Sequence, residues 1–259
     1  MKKKQSLKHY IQLIQLKVAA NLRAEAARNY LSYLWWIFEP ILHMLVYYFV
    51  FGMLLARGTE NFSIFLLTGL IPWLWFVKTI TNSMGSISQN KGLMMQVHIP
   101  KIVLPTIVIC QDAVKQTVVV ALLLLFLVLA GIEPSWSWSA LPLLLITQIL
   151  LIAACAYLVA AVVPFLPDLS FLISMGLQML FFCSGIFFKV EDVILDKHLN
   201  LFYMNPMANL LKNYRNILLY NQWPDWQALI IIVVLSLVFI FVMSLVIRKF
   251  DHVYPRVVL

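Results

Sequence analysis

The run ALIIIVVLSLVFIFVMSLVI, residues 228–247, constrains the fold more than any other part of this sequence, because it carries no charge from end to end. A spanning helix needs about 20 mostly apolar residues, and in water such a run would have no polar face to present. Five further stretches are long and apolar enough, at 33–56, 62–80, 102–132, 139–165 and 169–188, with ends good to a few residues. Composition agrees: of 259 residues 63% are hydrophobic and 12% are charged, about half the charged share of a soluble domain. The expectation is an all-α integral membrane protein with six transmembrane helices. A single domain, 1–259, holds the spans within 33–247 and ends in a tail at 248–259. Cys110, Cys155 and Cys183 are odd in number and scattered in apolar runs. They read as small buried hydrophobes, not as a disulfide framework or a metal site.

Six spans put both termini on one side, and counting Lys and Arg chooses the side. With the N-terminus in the cytoplasm, the inner segments hold Lys2, Lys3, Lys4, Lys8, Lys17, Arg23, Arg28, Lys91, Lys101, Lys115, Arg248, Lys249 and Arg256. The outer segments hold Arg57, Lys189, Lys197, Lys212 and Arg215, and Lys78 falls inside the second span. The same asymmetry accounts for the formal charge of +8: a basic excess facing anionic cytoplasmic lipid, with no nucleic-acid partner. The start, MKKKQSLKHY, has no apolar h-region or cleavage site behind it and is not read as a signal peptide.

Residues 5–28 differ from the spans. Leu7, Ile11, Ile14, Val18 and Leu22 recur at spacings of three and four among Lys8, Gln12, Gln15, Lys17, Asn21, Arg23 and Glu25. This pattern fits an amphipathic helix lying in the inner headgroup plane, or an arm packed on a partner subunit. In WWIFEPILHMLVYYFVFG, residues 35–52, Glu39 lies about 25 Å from the outer end of the first span at 1.5 Å per residue. That puts it near the inner interface, where a carboxylate costs far less than at the bilayer centre. Pro40 suits a junction where the surface helix turns into the membrane. For His43 a hydrogen-bonded structural role fits better than a functional one. Asp112 and Lys115, three apart on one helix face, read as a structural ion pair near the cytoplasmic side. The midplane is thus nearly free of charge, which argues against a proton- or ion-coupled transporter.

The chain has no HExxH, GxSxG, CxxC or GxxxxGK[ST]. No catalytic set or metal site stands out, and a nucleotide would have to bind on another polypeptide. In SMGSISQNKGLMMQVHIPKIVLP, residues 83–105, the part from Gly92 to Val97 reads as a short cytoplasmic helix with an exposed Leu/Met face, or as a mere connector. Outside, NLFYMNPMANLLKNYRNILLYN, residues 199–220, is broken by Asn205-Pro206 and reads as two short helices dipping back from the outer face. Aromatic residues make up 14% of the chain. An interfacial belt and lipid packing account for many of them, but Tyr47 and Tyr48 lie well inside a span, where flat faces with polar tips suit sugar rings.

WWIFEPILHMLVYYFVFG, FLLTGLIPWLWF, SISQNKGLMMQVHIPKIVLP and NPMANLLKNYRNILL together resemble the membrane subunit of ABC-2 type polysaccharide exporters, over essentially the whole chain. The O-antigen exporters of Gram-negative bacteria look nearest, with capsule and teichoic-acid exporters as close relatives. The resemblance implies a homodimer in the bacterial inner membrane, each copy recruiting a nucleotide-binding ABC subunit, so that ATP and Mg sit on the partner and no cofactor on this chain. It makes 5–28 an interface helix and 88–101 a coupling loop, with Asn90, Lys91, Met94, Gln96 and His98 meeting the ATPase. The 199–220 segment becomes an outer re-entrant pair, with Asn205, Pro206, Asn209, Tyr214 and Arg215 as gate. The substrate implied is a polyprenyl-pyrophosphate-linked glycan. Tyr33, Trp36, Tyr47, Tyr48, Trp73, Phe76, Phe181 and Phe182 are the candidate channel lining, and Arg23 and Arg28 the candidate pyrophosphate or headgroup contacts. Pro167-Asp168 departs from the pattern, in which a basic residue often precedes the acid. Rival readings are another ABC-2 cargo such as a drug or small lipid, an intramembrane enzyme acting on lipid-linked sugars, and a non-transporting scaffold.

Overall fold

The computed structural model describes residues 7–28, 32–54, 61–96 and 99–257, which are helical or looped throughout. The elements are α1 (Leu7–Arg28), α2 (Ser32–Tyr47), α3 (Phe62–Met84), α4 (Lys91–Gln96), α5 (Val103–Leu129), α6 (Leu141–Val162), α7 (Leu169–Phe182), α8 (Val190–Val193), α9 (Asp196–Tyr203), α10 (Pro206–Leu218), α11 (Trp226–Lys249) and α12 (Tyr254–Val257). A π-helical turn, Tyr48–Leu54, extends α2, and a 3₁₀ turn, Trp136–Ala140, leads into α6. Five of these units are long and apolar enough to cross a bilayer: Leu34–Leu54, Phe62–Met84, Val103–Leu129, Trp136–Val162 and Trp226–Lys249.

Helix α3 is the hub and packs against α2, α5, α6, α7 and α10. Phe65, Leu66, Leu70, Trp73 and Phe76 on it are buried in the main core, with Leu144, Ile152, Phe181, Leu210 and Ile217 of its neighbours. The α6–α11 contact is of another kind. Ala153, Ala154, Ala156, Ala160 and Ala161 give α6 a small-residue side that is buried, and small residues let helix backbones approach closely where lipid supplies no hydrophobic drive.

Helix α7 is shorter than the 169–188 span expected from sequence. Its 14 residues rise about 21 Å at 1.5 Å each. The stop is a tertiary effect. At Gly185 the backbone takes φ +69°, and a Cβ there would stand 2.6 Å from Val190 Cγ2. The carbonyls of Gly185 and Ile186 turn away from helical partners and accept from Arg215 Nη1 at 2.7 Å and Nη2 at 2.9 Å. The guanidinium is 6% exposed and lies 3.6 Å from the centre of the Phe65 ring. Gly69 of α3 makes room for it: a Cβ at that position would fall 2.8 Å from Nη2.

Three expectations shift in the structure. The apolar side of α1 is Tyr10, Leu13, Ile14, Val18 and Leu22, packed on Ile99, Val103 and Ile107 of the chain's own α5 region; Ile11 is 48% exposed. Pro40 sits inside α2, well past its start at Ser32, and not at a junction. Cys110 and Cys155 are half-buried, packed against the α1–α5 contact and the main core, and only Cys183 is exposed.

At the end of the molecule that carries α4 and α12, a second core joins Ile87, Met94, Leu104, Ile247 and Tyr254. The Tyr254 hydroxyl donates to the Ala161 carbonyl (3.1 Å), and the Lys101 amide donates to Asp251 Oδ1 (2.7 Å). Gly69→Ala is expected to push the guanidinium off its two carbonyls and lower stability by about 1–3 kcal/mol, the usual cost of stranding buried polar groups. Gly92→Ala, where a Cβ meets nothing within 4 Å, is the control that reads the helix preference of alanine alone. Thermal unfolding of the detergent-purified chain measures both, and equal midpoints for the two variants would refute the steric role of Gly69.

Candidate functional site

An open cleft of about 220 Å³ lies between α2, α3 and α7. Its lining is His43 and Tyr47 from α2, Trp73, Leu74, Val77 and Thr81 from α3, and Ser174, Leu177, Gln178 and Phe181 from α7. The aromatic groups interlock. Tyr47 meets Phe181 at 5.4 Å and Phe187 at 4.9 Å between ring centres, and Phe181 meets Trp73 at 5.6 Å. Such edge and tilted pairs fix ring orientation beyond simple burial. Beside Phe181 runs a polar stripe: Ser170, Ser174 and Gln178 recur every four residues along α7, so they share one face, and the last two line the cleft. Ser174 and Gln178 are exposed. The Ser170 and Ser174 hydroxyls donate to the Pro167 and Ser170 carbonyls (2.7 Å each), which leaves their oxygens as acceptors.

Of the eight aromatic residues proposed for a channel, the cleft brings together Tyr47, Trp73 and Phe181. Phe76 is buried behind Trp73, 5.7 Å away. Phe182 points outward and stacks on Phe187 at 5.8 Å. Tyr48 is 40% exposed beside Phe62. Trp36 belongs to a different site, and the Tyr33 side chain lies outside the described residues. His43, read as structural, borders the cleft in T-shaped contact with Tyr47 (6.0 Å). Thr81, Ser174 and Gln178 were missed, although the spacing of four along 170–178 was a readable signal.

Trp36 joins a polar cluster where α1, α2, α3 and α5 meet. Lys115 Nζ is 2.6 Å from Glu25 Oε2 and 3.6 Å from Asp112 Oδ1, and stands 5.6 Å from the Trp36 ring centre. Asn82 Nδ2 donates to Asp112 Oδ2 (3.0 Å), and Gln111 Nε2 to Glu25 Oε2 (3.2 Å). Lys78 pairs with Glu39. The sequence located Asp112 with Lys115 and the helix carrying each charge; Glu25 and the Glu39–Lys78 pairing came only with the fold. Arg23 is exposed outside this cluster, and the Arg28 side chain lies outside the described residues.

The coupling and gate candidates are placed as follows. Asn90 Nδ2 donates to the Ser86 carbonyl (2.8 Å). Lys91 opens α4, Met94 turns into the core, and its neighbour Met95 is 62% exposed. The Gln96 side chain and His98 lie outside the described residues. Asn205 caps α10 through Met207 N (3.0 Å) and holds Ser184 Oγ (3.1 Å), with Pro206 at the first turn. Asn209 Oδ1 accepts from Asn213 Nδ2 (2.8 Å), and Asn213 Oδ1 accepts from the Asp225 amide (2.7 Å). The Tyr214 hydroxyl donates to Gln148 Oε1 (2.6 Å), whose Nε2 donates to the Pro72 carbonyl (2.8 Å). These residues bind α10 to α3, α6 and α11 within one chain. Near them Glu191 is held below the usual carboxylate range: burial raises it, but the Tyr203 hydroxyl, its own amide, Lys212 and Arg215 outweigh that. Among the described residues no group of three or more His, Cys, Asp or Glu could hold a metal.

The family model described as ABC-2 type transporter matches residues 12–219. The chain belongs to this family. Among curated relatives, the O-antigen export system permease protein RfbA of Myxococcus xanthus is 28% identical over 239 residues, 92% of each chain. RfbA of Klebsiella pneumoniae is 27% identical over 218 residues, 84% of each chain. The polysialic acid transport protein KpsM of Escherichia coli is 27% identical over 228 residues, 85% of this chain and 86% of that one. The chain is therefore a multi-pass ABC-2 membrane subunit, a transport component and not an enzyme, and in this family ATP hydrolysis belongs to a separate ATPase partner.

The polar cluster makes a direct prediction for this ABC-2 chain. Lys115→Met leaves Glu25 and Asp112 without their shared cation and is expected to cost about 3 kcal/mol, the cost of breaking a buried pair. Adding Glu25→Gln should recover about 1 kcal/mol of it, since contacting residues couple. Denaturant unfolding of the single and double variants reads the coupling, and strictly additive effects would contradict the contact.

Proposed function

We propose that this chain is the membrane subunit of an ATP-driven exporter of a lipid-linked polysaccharide in the bacterial inner membrane, working as a homodimer with two copies of a nucleotide-binding subunit. The observation that carries this reading is the α2–α3–α7 cleft, which sets aromatic faces beside the polar Ser174 and Gln178 on an otherwise apolar exterior. Sugar rings need that pairing: apolar faces to stack on, and donors and acceptors for hydroxyl rims. Each stacking contact is worth about 0.5–1.5 kcal/mol by analogy with aromatic pairs, weak enough for a polymer to slide. The names of the relatives, two O-antigen permeases and a polysialic acid transporter, support a glycan cargo.

Both termini are cytoplasmic in this proposal, on the Lys/Arg asymmetry. Two copies then face each other across their exposed α2 and α7 surfaces, where Phe38, Leu45, Val46, Phe171, Leu172 and Met179 are all open in the single chain. The ATPase docks on residues 88–101, with Lys91 and Met95 at the contact. A push there travels through Met94 and Ile87 into the core shared with Leu104, Ile247 and Tyr254, and so into α3, α5, α6 and α11. Arg23 and Arg28 meet the pyrophosphate at the cytoplasmic entrance, and the α9–α10 pair lines the exit. A capsule-type polymer is the second cargo reading, favoured by the KpsM relative.

Gln178→Trp and Ser174→Trp fill the cleft and are expected to cut surface glycan about tenfold, a barrier of ~1.4 kcal/mol. Ile230→Trp on the exposed side of α11 is the control. Gel analysis of surface glycan at matched protein levels is the measurement. Unaltered export in both cleft variants would reject the route, and failure of the chain to co-purify with an ATPase would reject the exporter reading.

A further inference from the structure

On another side of the molecule a groove of about 660 Å³, three times the volume of the aromatic cleft, runs between α6, α10 and α11. We propose that it holds one phospholipid with a zwitterionic, amine-bearing headgroup. It shares no lining residue with the cleft, and its mouth is built on the α9–α10 pair set above at the exit.

The walls fit an acyl chain. Leu151 and Leu158 of α6 face Ile231, Leu235 and Phe239 of α11, and Ala154 leaves the space between them open. Asp225 marks the mouth and Phe239 the floor. The 14 steps from Asp225 to Phe239 rise about 21 Å at 1.5 Å each, somewhat more than the ~15 Å of one hydrocarbon leaflet. A groove of that depth and polarity takes a lipid tail. A water-soluble ligand would leave the apolar walls uncovered, at about 25 cal/mol for each Å².

The mouth chooses the headgroup. It carries one cation, Lys212, and one carboxylate, Asp225, with Asn200, Tyr203 and Asn209 around them. Lys212 is 39% exposed along its side chain. Its contact with Glu191 is a long one at 3.9 Å, and its ammonium lies 4.3 Å from the Tyr203 ring centre. An ammonium has three donors, so it retains capacity for a phosphate oxygen. Asp225 caps α11 through Oδ1 and Ala228 N (3.1 Å), which occupies one of the four or so acceptor sites of a carboxylate. The rest suit an ammonium. A purely anionic headgroup would meet Lys212 but be repelled by Asp225. Phosphate with a primary amine satisfies both.

The test uses the full chain, stripped of lipid in detergent, with dioleoyl phosphatidylethanolamine and dioleoyl phosphatidylglycerol as probes. Native mass spectrometry should find one phosphatidylethanolamine per chain, with phosphatidylglycerol about tenfold weaker, the ratio expected for loss of one charge-assisted contact. Lys212→Gln should weaken phosphatidylethanolamine about tenfold. Asp225→Asn, which keeps the helix cap, should erase the preference between the two lipids. Ile231→Trp should abolish binding, with Leu235→Trp as a second filler and circular dichroism as the check on folding. Equal binding of both lipids by the unmodified chain, retention of phosphatidylethanolamine in both folded tryptophan variants, no lipid bound at all, or tighter binding of a polyprenyl phosphate would each overturn the proposal.

Discussion

Arg215 keeps its charge in a site 6% exposed, held by two carbonyls, at Gly185 and Ile186, that no helix could satisfy. Unpaired backbone groups at membrane depth cost several kcal/mol each, and so does a buried guanidinium without acceptors. Each problem resolves the other. Around that exchange the chain can end α7 early, turn through Cys183–Phe188, and send α10 back against α3 and α6. Gly69 on one side and the Phe65 ring on the other complete the socket. The Tyr214–Gln148–Pro72 chain next to it ties α10 to α6 and again to α3.

Because α10 is anchored there, α7 packs along α3 only through its Leu177 and Phe181 side and leaves Ser174 and Gln178 open. The cleft is a by-product of this arrangement. Tyr47, Trp73 and Phe181 are set by core packing, and the same packing presents their edges to the open side. On another side of α3 at the same level, where Leu74 borders both sites, charges do what aromatics do here: Lys115 collects Glu25 and Asp112, and Lys78 collects Glu39, so four helices meet through ion pairs.

The long spans were legible because an uninterrupted apolar run of twenty residues has few other uses. The ABC-2 family was legible from four short stretches in order. The end of α7 was not, since CSGIFF is apolar enough to continue a helix and its stop depends on a residue 30 positions away. The same holds for charge. Asp112 and Lys115 are three apart and readable on one helix; Glu25 reaches Lys115 across 90 positions and Glu39 reaches Lys78 across 39. Met94 and Met95 looked alike in sequence, and only the second core decided that one is buried and the other exposed. The spacing of four at 170–178 is plain in the sequence, but nothing local to it says that α7 turns Ser174 and Gln178 toward Tyr47 and Trp73.

Helix α7 has a consequence for the bilayer itself. An apolar cylinder of about 21 Å cannot match a hydrocarbon slab of about 30 Å, and each ångström of mismatch costs a fraction of a kcal/mol. Where a second copy of the chain covers α7, as in the proposed dimer, no lipid has to compress to meet it. Beside Ser174 and Gln178 the protein-lined part of the crossing is then about 21 Å long, against about 30 Å of hydrocarbon elsewhere.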